Sequence, residues 1–280
     1  MKKVLIGSVF ANDNQMQQKW LDLQLRFIAE TTSDFDHVVV LSDGITNNYF
    51  ESKTKVLVPA NTEPKASEAH YLGLNLLKTY FSEHQEQYEN FLFLDADAFP
   101  IKKNWIAALL KKMQPEDRVD FATGTILTTK SKGRHYDVAA ALRSENLENR
   151  LHASVLFVKN KALANVAFSL GSIGMDLAGN PESDVFIPMY QTELRHLAFP
   201  LMRTNKTNIH PLACGIYFDM FYHHACGSGR PFNLRAADHY LSSFIPSQID
   251  VSVFTEKLMS NPCEHVHKLA GWNSIRYASF

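Results

Sequence analysis

The stretch that most constrains this chain runs from Phe91 to Pro100 and reads Phe-Leu-Phe-Leu-Asp-Ala-Asp-Ala-Phe-Pro. Phe91 to Leu94 is a continuous apolar run, the pattern of a strand buried on both faces of a parallel sheet. Directly after it come two carboxylates, Asp95 and Asp97, with Ala96 between them. Charge at the end of a buried strand is costly unless it is partnered. In extended chain the period of two puts both carboxylates on one side. Two converging oxygen donors suit a hard divalent cation, Mn2+ or Mg2+. The carboxyl edge of an open α/β sheet is also where such folds bind ligands. Phe99-Pro100 is expected to stop the strand, because Pro has no N–H to donate. The plainer alternative is that Asp95 and Asp97 only cap the turn before a helix near Trp105.

The rest of the composition narrows the class. A chain of 280 residues is long enough for one large α/β core. Lys and Arg number 28 against 29 acidic residues, so no nucleic-acid footprint is present. The three cysteines, Cys214, Cys226 and Cys263, are too sparse for a disulfide framework and suit a reducing compartment. No apolar stretch approaches the roughly 18 residues that span a bilayer. Lys2-Lys3 before Val4 to Ala11 imitates a signal peptide, but Gly7-Ser8 interrupts the run and polar Asn12-Asp13-Asn14 follows it. A buried first strand in a cytoplasmic protein is the better account.

In order, Lys3 to Phe10 reads as a strand, Gln15 to Glu30 as a helix, and His37 to Leu41 and Lys55 to Pro59 as strands. A strand at the outset followed by this β-α-β-β order suits a Rossmann-like half. No Gly-x-Gly-x-x-Gly follows the first strand, so a dinucleotide fingerprint is absent. Ser8, Phe10 and Asp43 fall at strand ends, where a nucleotide base or ribose would lie, although each alone reads more simply as a turn residue. Ser67 is the expected N-cap of a helix to about His84, with His70 near its start. Trp105 to Met113 is a second amphipathic helix, with Lys111 and Lys112 at its C-terminus. Phe121 to Leu127 reads as a strand and Thr128 to Tyr136 as a basic loop, either a solvated surface or a flap over an anion. Ala139 to Arg150 is expected to be helical and Ala153 to Val158 a buried strand. Val185 to Leu197 is also expected to be a helix, with Glu182 and Asp184 at its start. Ala198 to Thr204 and Lys206 to His210 read as short strands. Adjacent His223 and His224 precede a Gly-rich loop holding Ser228 and Arg230, and the segment from Val251 onward reads as a helix or docking tail.

Asp95-Ala96-Asp97 behind an apolar strand resembles the Asp-x-Asp motif of glycosyltransferases with the GT-A fold. The resemblance covers roughly residues 1 to 235 in architecture and its motifs are short. It implies one GT-A-like α/β domain with a Rossmann-like, mostly parallel sheet flanked by helices. Residues 1–127 would form its nucleotide-sugar half, 128–250 its acceptor half and 251–280 a C-terminal tail. It implies a divalent metal, Mn2+ or Mg2+, on Asp95 and Asp97, completed by His223 or His224. Neighbours on a strand point oppositely, so only one of the two histidines should bind. His70 would face the nucleotide, and Ser228 and Arg230 the diphosphate. Asp184, or Glu182 in its place, would face the acceptor hydroxyl. The partners implied are a nucleotide-sugar donor and a glycan or lipid-linked saccharide acceptor, with peripheral membrane association left open. Two other classes remain. One is a nucleotidyltransferase acting on sugar phosphates, although Ser8 to Asn14 lacks its Gly-rich basic loop. The other is a non-catalytic zinc or sugar-binding module drawing on Cys214, Cys226, His223, His224, Cys263, His265 and His267, which include no Cys-x-x-Cys pair and lack a typical zinc spacing.

Overall fold

The computed structural model describes residues 2–10, 15–44, 48–59, 66–114, 135–142, 150–175, 181–188, 194–199, 201–202, 215–217 and 219–224, with 256, 258–264 and 266 from the tail. The protein is an α/β fold. Four strands, β1 (Lys2–Phe10), β2 (Phe35–Leu41), β3 (Lys55–Leu57) and β4 (Tyr88–Asp95), lie in the order β3-β2-β1-β4, all parallel. Helix α1 (Gln15–Thr31) and the short α2 (Asn48–Glu51) punctuate the first three, and α3 (Ala66–Glu83) leads into β4. The first crossover leaves β1 to one side and the second returns to its other side. The sheet therefore has a topological switch between β1 and β4, where α/β folds open a ligand crevice.

Beyond β4 the sheet turns mixed. Strand β7 (Arg150–Lys159) runs antiparallel to β4, β6 (Val138–Leu142) antiparallel to β7, and β10 (His196–Phe199) parallel to β6. Strands β8 (Ser169–Met175) and β9 (Pro181–Pro188) form an antiparallel pair hung on the start of β7. The β4 strand is thus parallel to one neighbour only. A smaller four-stranded sheet takes β5 (Ala98–Pro100), β11 (Leu201–Met202), β12 (Gly215–Tyr217) and β13 (Phe221–His223), in the order β11-β12-β13-β5. Phe99-Pro100 does not end the strand region, as expected from sequence, but belongs to β5 of this second sheet.

Alternation along β1 and β4 divides the core. Leu5, Val9, Phe91 and Phe93 face Leu74, Leu77 and Phe81 of α3. Val4, Ile6, Leu92 and Leu94 face Trp105 and Leu109 of α4 (Trp105–Lys112). Helix α1 covers Val39 and Leu41 with Trp20 and Leu21, and tail residues Leu258 and Val266 bury themselves in the same cluster. Trp272, Tyr277 and Phe280 of the expected tail lie outside the described residues.

Two helices expected from sequence are strands. Ala139 to Leu142 lies in β6, because its backbone pairs with β7 and β10 while Ala140 is buried on one face of the sheet and Ala139 and Ala141 on the other, and tertiary burial overrides alanine's helix preference. Val185 to Pro188 lies in β9, so Glu182 and Asp184 are strand residues and cap no helix. Ser67 is not an N-cap either; it sits inside the first turn of α3 and donates its hydroxyl to the Ser183 carbonyl. The expected segments 121–127 and 206–210 lie outside the described residues.

Helix α3 approaches β1 closely at two glycines. A Cβ on Gly73 would meet Val9 Cγ1 at 2.6 Å, and one on Gly7 would meet Phe81 Cζ at 2.7 Å. Gly73 lies one turn beyond His70, so this contact sets where His70 sits over the sheet. Gly73→Ala gains roughly 1 kcal/mol of helix propensity. It also forces the helix off β1, with an overpacking cost of about 1–3 kcal/mol. Urea denaturation should therefore show a net loss of stability, whereas a gain would mean that α3 yields freely.

Candidate metal centre

Strand β4 delivers the chain to the carboxyl edge of the parallel block and ends at Asp95. Ala96 and Asp97 form a turn before β5 begins in the other sheet. The two carboxylates converge through this turn, not through alternation along one strand. Antiparallel pairing of β13 on β5 sets His223 opposite Ala98, which brings a residue from far downstream beside the acidic pair. His223 Nε2 lies 3.3 Å from Asp95 Oδ2 and 3.4 Å from Asp97 Oδ1. One ligand atom from each of the three falls within 4.8 Å of the others. An ion at about 2.1 Å from each donor fits such a group with small adjustments.

His70 approaches from α3. Its Nε2 lies 3.1 Å from Asp95 Oδ1, yet the two are not aligned as a hydrogen bond, and both atoms are buried without another partner among the described residues. Burial alone would raise the Asp95 carboxyl, but the His70 and His223 imidazoles outweigh it and hold the group well below the usual carboxylate range. Asp97 follows the same balance: burial raises it, and His223 brings it below the ordinary value. Burial would neutralise His223, and the Asp97 and Asp95 charges instead lift it well above 6.5. Two carboxylates this close therefore stay ionised only with positive charge between them, now a proton on His223. A divalent ion fits the same donors, and metal binding displaces such a proton.

His224 faces the other way. Its backbone N–H donates to the Asp97 carbonyl at 3.1 Å, while its ring packs 4.9 Å from the Trp20 ring and its Nδ1 lies 2.8 Å from the Tyr222 hydroxyl. Of the two histidines it is His223 that lies in the cluster, as strand alternation requires.

Asp184 on β9 meets a residue with no sequence signal of its own. His152, 2% exposed, has Nε2 at 2.9 Å from Asp184 Oδ2. Its Nδ1 accepts the Ser154 N–H at 3.0 Å, so the ring proton resides on Nε2 and is donated to the carboxylate. The His152 ring stacks on that of His223, with centroids 6.1 Å apart, which ties Asp184 to the metal cluster through two side chains. The pattern of β7 alone reads as apolar strand, and only pairing with β9 reveals this dyad.

The remaining expected residues are placed differently. Phe10 is buried edge-to-face on Phe50, at 5.2 Å. Ser8 is fully buried and donates to Gln24 Oε1 at 2.7 Å. In this packing both serve the core instead of lining an open crevice. Asp43 lies half-buried in the turn after β2. The Glu182 side chain, Ser228 and Arg230 lie outside the described residues, as do Cys214, Cys226, His265 and His267. Of the zinc inventory, His223, His224 and Cys263 are described: His223 lies in the cluster with Asp95 and Asp97, whereas Cys263 takes an Arg26 N–H at 3.6 Å and joins no metal-ligand cluster among the described residues. No helix among the described residues is long and apolar enough to cross a membrane.

No known family profile matches the chain, and no curated protein matches it in sequence. Solved structures with a related backbone include a glycosyltransferase involved in glycosylation of the major capsid of PBCV-1, at 14% identity and a TM-score of 0.33 over 58% of this chain and 62% of that one. A mannosyltransferase from Pyrobaculum calidifontis, in complex with GDP-Man and Mn2+, matches at 12% identity and TM-score 0.36 over 58% of this chain and 46% of its own. S. aureus TarS in complex with UDP matches at 14% identity and TM-score 0.35, over 58% of this chain and 48% of its own. This chain thus matches less than two thirds of the length of any of the three. Likeness this distant assigns no activity.

Substitutions should separate the two histidines. Asp97→Asn and His223→Ala each remove a ligand, so each should lower Mn2+ affinity by more than the ~10–100-fold seen when a supporting partner is lost. His224→Phe should melt lower but bind Mn2+ nearly as the parent does. Titration of free Mn2+ by electron paramagnetic resonance, run beside thermal melts, checks all three. A half-buried histidine gives a separate pH test. Burial pushes His37 from 6.5 down to about 3. The unfolded chain therefore takes up this proton first, and the stability His37 contributes is complete above pH 6.5 and lost as pH falls toward 3. His37→Gln should flatten the decline in melting temperature between pH 6.5 and 4, and an unchanged decline would mean that His37 stays solvated in the native state.

Proposed function

We propose that the protein transfers a sugar from a nucleotide-sugar to a hydroxyl of a glycan or lipid-linked saccharide, with a divalent metal on Asp95, Asp97 and His223. The observation that carries this reading is the Asp-Asp-His group at the carboxyl end of β4, beside the switch between β1 and β4. An imidazole among carboxylates favours Mn2+ over Mg2+. Bound there, the ion would act as a Lewis acid that neutralises a leaving diphosphate.

The chain's own groups supply the rest. Asp95 and Asp97 provide the negative charge that holds the cation. His70, whose buried Nε2 lies 3.1 Å from Asp95 Oδ1, is the proposed donor to a phosphoryl oxygen beside Asp95. Asp184 is the proposed acceptor carboxylate. One of its oxygens takes the His152 proton, and the other accepts the Val185 N–H at 2.8 Å, so its plane is fixed from two sides. Its side chain is 17% exposed, which leaves access to an incoming hydroxyl. Glu182, two residues earlier on the same strand, is the proposed substitute. Ser228 and Arg230 are proposed at the diphosphate.

The direct experiment is a thermal-shift screen of nucleotide-sugars with Mn2+ and with EDTA, because a ligand that binds only the native state raises its melting temperature. Stabilisation by a nucleotide-sugar in Mn2+, lost in EDTA, and metal-dependent turnover of that donor are the expected results. Asp184→Asn should lower kcat by about 10²–10⁴-fold, the usual contribution of a positioned base. Melting temperature and Mn2+ affinity should stay near those of the parent. Parental turnover in Asp184→Asn would confine Asp184 to orienting His152 and move the acceptor base to Glu182.

A further inference from the structure

The geometry points to Gln24 as the residue that holds the metal ligands in register, an inference that rests on the metal reading of Asp95, Asp97 and His223. Gln24 sits within the buried stripe of α1, among Trp20, Leu21, Leu23, Phe27 and Ile28, and is itself fully buried. An amide in such a stripe costs several kcal/mol in transfer to an apolar medium unless its polar atoms are paired. Helix packing alone would be served by Leu or Met. Here every polar atom of the amide is engaged. Its Nε2 donates to the Asp95 carbonyl at 2.9 Å and to the Ala98 carbonyl at 2.7 Å. Its Oε1 accepts the Ser8 hydroxyl at 2.7 Å and lies 3.2 Å from His37 Nε2.

These two carbonyls matter because of where they lie. Asp95 ends a strand of the large sheet, and Ala98 begins a strand of the small one. Between them the chain changes sheets. Asp95 reaches the cluster from the large sheet and His223 from the small sheet, the latter through its pairing opposite Ala98. The separation of these ligands is therefore the separation of two sheets at this turn. Gln24 spans the junction with one side-chain nitrogen, and the His224 N–H grips the turn from the opposite side at the Asp97 carbonyl.

The orientation of the amide is fixed from behind. With both amide protons directed at carbonyls, Oε1 can only accept. His37 Nε2 lies 3.2 Å from Oε1, and its Nδ1 lies 3.1 Å from the Thr54 hydroxyl, which donates to the His37 carbonyl at 2.7 Å. The Ser8 hydroxyl, donating to Oε1, thus supports the one flip that offers the amide nitrogen to the turn. Ser8, expected at a nucleotide from its place at a strand end, acts on the site through Gln24 instead.

Gln24→Glu tests this, because it keeps the shape and the acceptor for Ser8 but removes both donors. The full-length parent, Gln24→Glu and Leu109→Ala are titrated with Mn2+ alone and melted in parallel. Leu109 is a core residue of α4 and serves as a variant destabilised away from the turn. The expected result is a 10–100-fold weaker Mn2+ affinity in folded Gln24→Glu, the range for a partner that orients metal ligands. Leu109→Ala should melt lower and keep the parental affinity. Parental affinity in Gln24→Glu, or an equal loss in Leu109→Ala, overturns the inference while leaving the metal site standing. A parent that binds no Mn2+ removes the metal reading, and this inference with it. Should Gln24→Glu not fold, Gln24→Met is read by the same criterion.

Discussion

Two carboxylates held close together in a buried turn set the terms for everything around them. Asp95 and Asp97 flank the passage from β4 to β5, and neither side chain is more than 17% exposed. Their charges repel, and burial favours the neutral acids, so ionisation depends on cations brought from other elements. His223 answers from β13, and His70 of α3 lies 3.1 Å from Asp95 Oδ1 on the other side. Helix α3 is seated by the close packing of Gly73 on Val9 and of Gly7 under Phe81, and β13 by its ladder to β5. The packing of the parallel block and the pairing of the small sheet therefore converge on one electrostatic requirement.

Much of the parallel block was legible in sequence. The apolar runs of β1, β2 and β4 are continuous because each strand is covered on both faces, by α3 on one side and α1 or α4 on the other. The Asp-x-Asp stretch was legible for the same reason, as polar residues intruding on a run that tolerates none. The mixed half was not. Ala139 to Leu142 carries a helix-forming composition, and only pairing with β7 and β10 and burial on both faces of the sheet make it a strand. Val185 to Ile187 is a short apolar run, too short for periodicity to distinguish strand from helix.

The candidate site divides along the same line. Asp95 and Asp97 are adjacent in sequence and could be read together, and strand alternation separated His223 from His224 in principle. His152 and Gln24 could not be read, because their roles arise from partners on distant elements. His152 lies where β7 changes partner: Val155 still pairs with β4, whereas His152 pairs with Phe186 of β9. The break in the ladder to β6 between Ala140 and Ala141 falls at this same place. A chain that must leave one strand for another frees a backbone N–H, and the Ser154 N–H becomes the donor that sets the His152 tautomer. Such irregularities recur beside functional sites because they re-aim a side chain that a regular ladder would bury.

Both junctions have one physical origin. At 95–98 and at 152–155 the backbone passes between pairing partners, leaving carbonyl or amide groups that no ladder satisfies. Buried backbone groups must nevertheless be paired. At the first junction the partners are the Gln24 amide and the His224 N–H, and at the second the His152 ring. Each partner, in satisfying the backbone, also fixes a carboxylate: Asp95 and Asp97 in one case, Asp184 in the other. The precision such a site needs comes from second contacts of this kind and not from the loops themselves. That is why a cluster assembled from two sheets and the turn between them can hold atoms from three residues within 4.8 Å of one another.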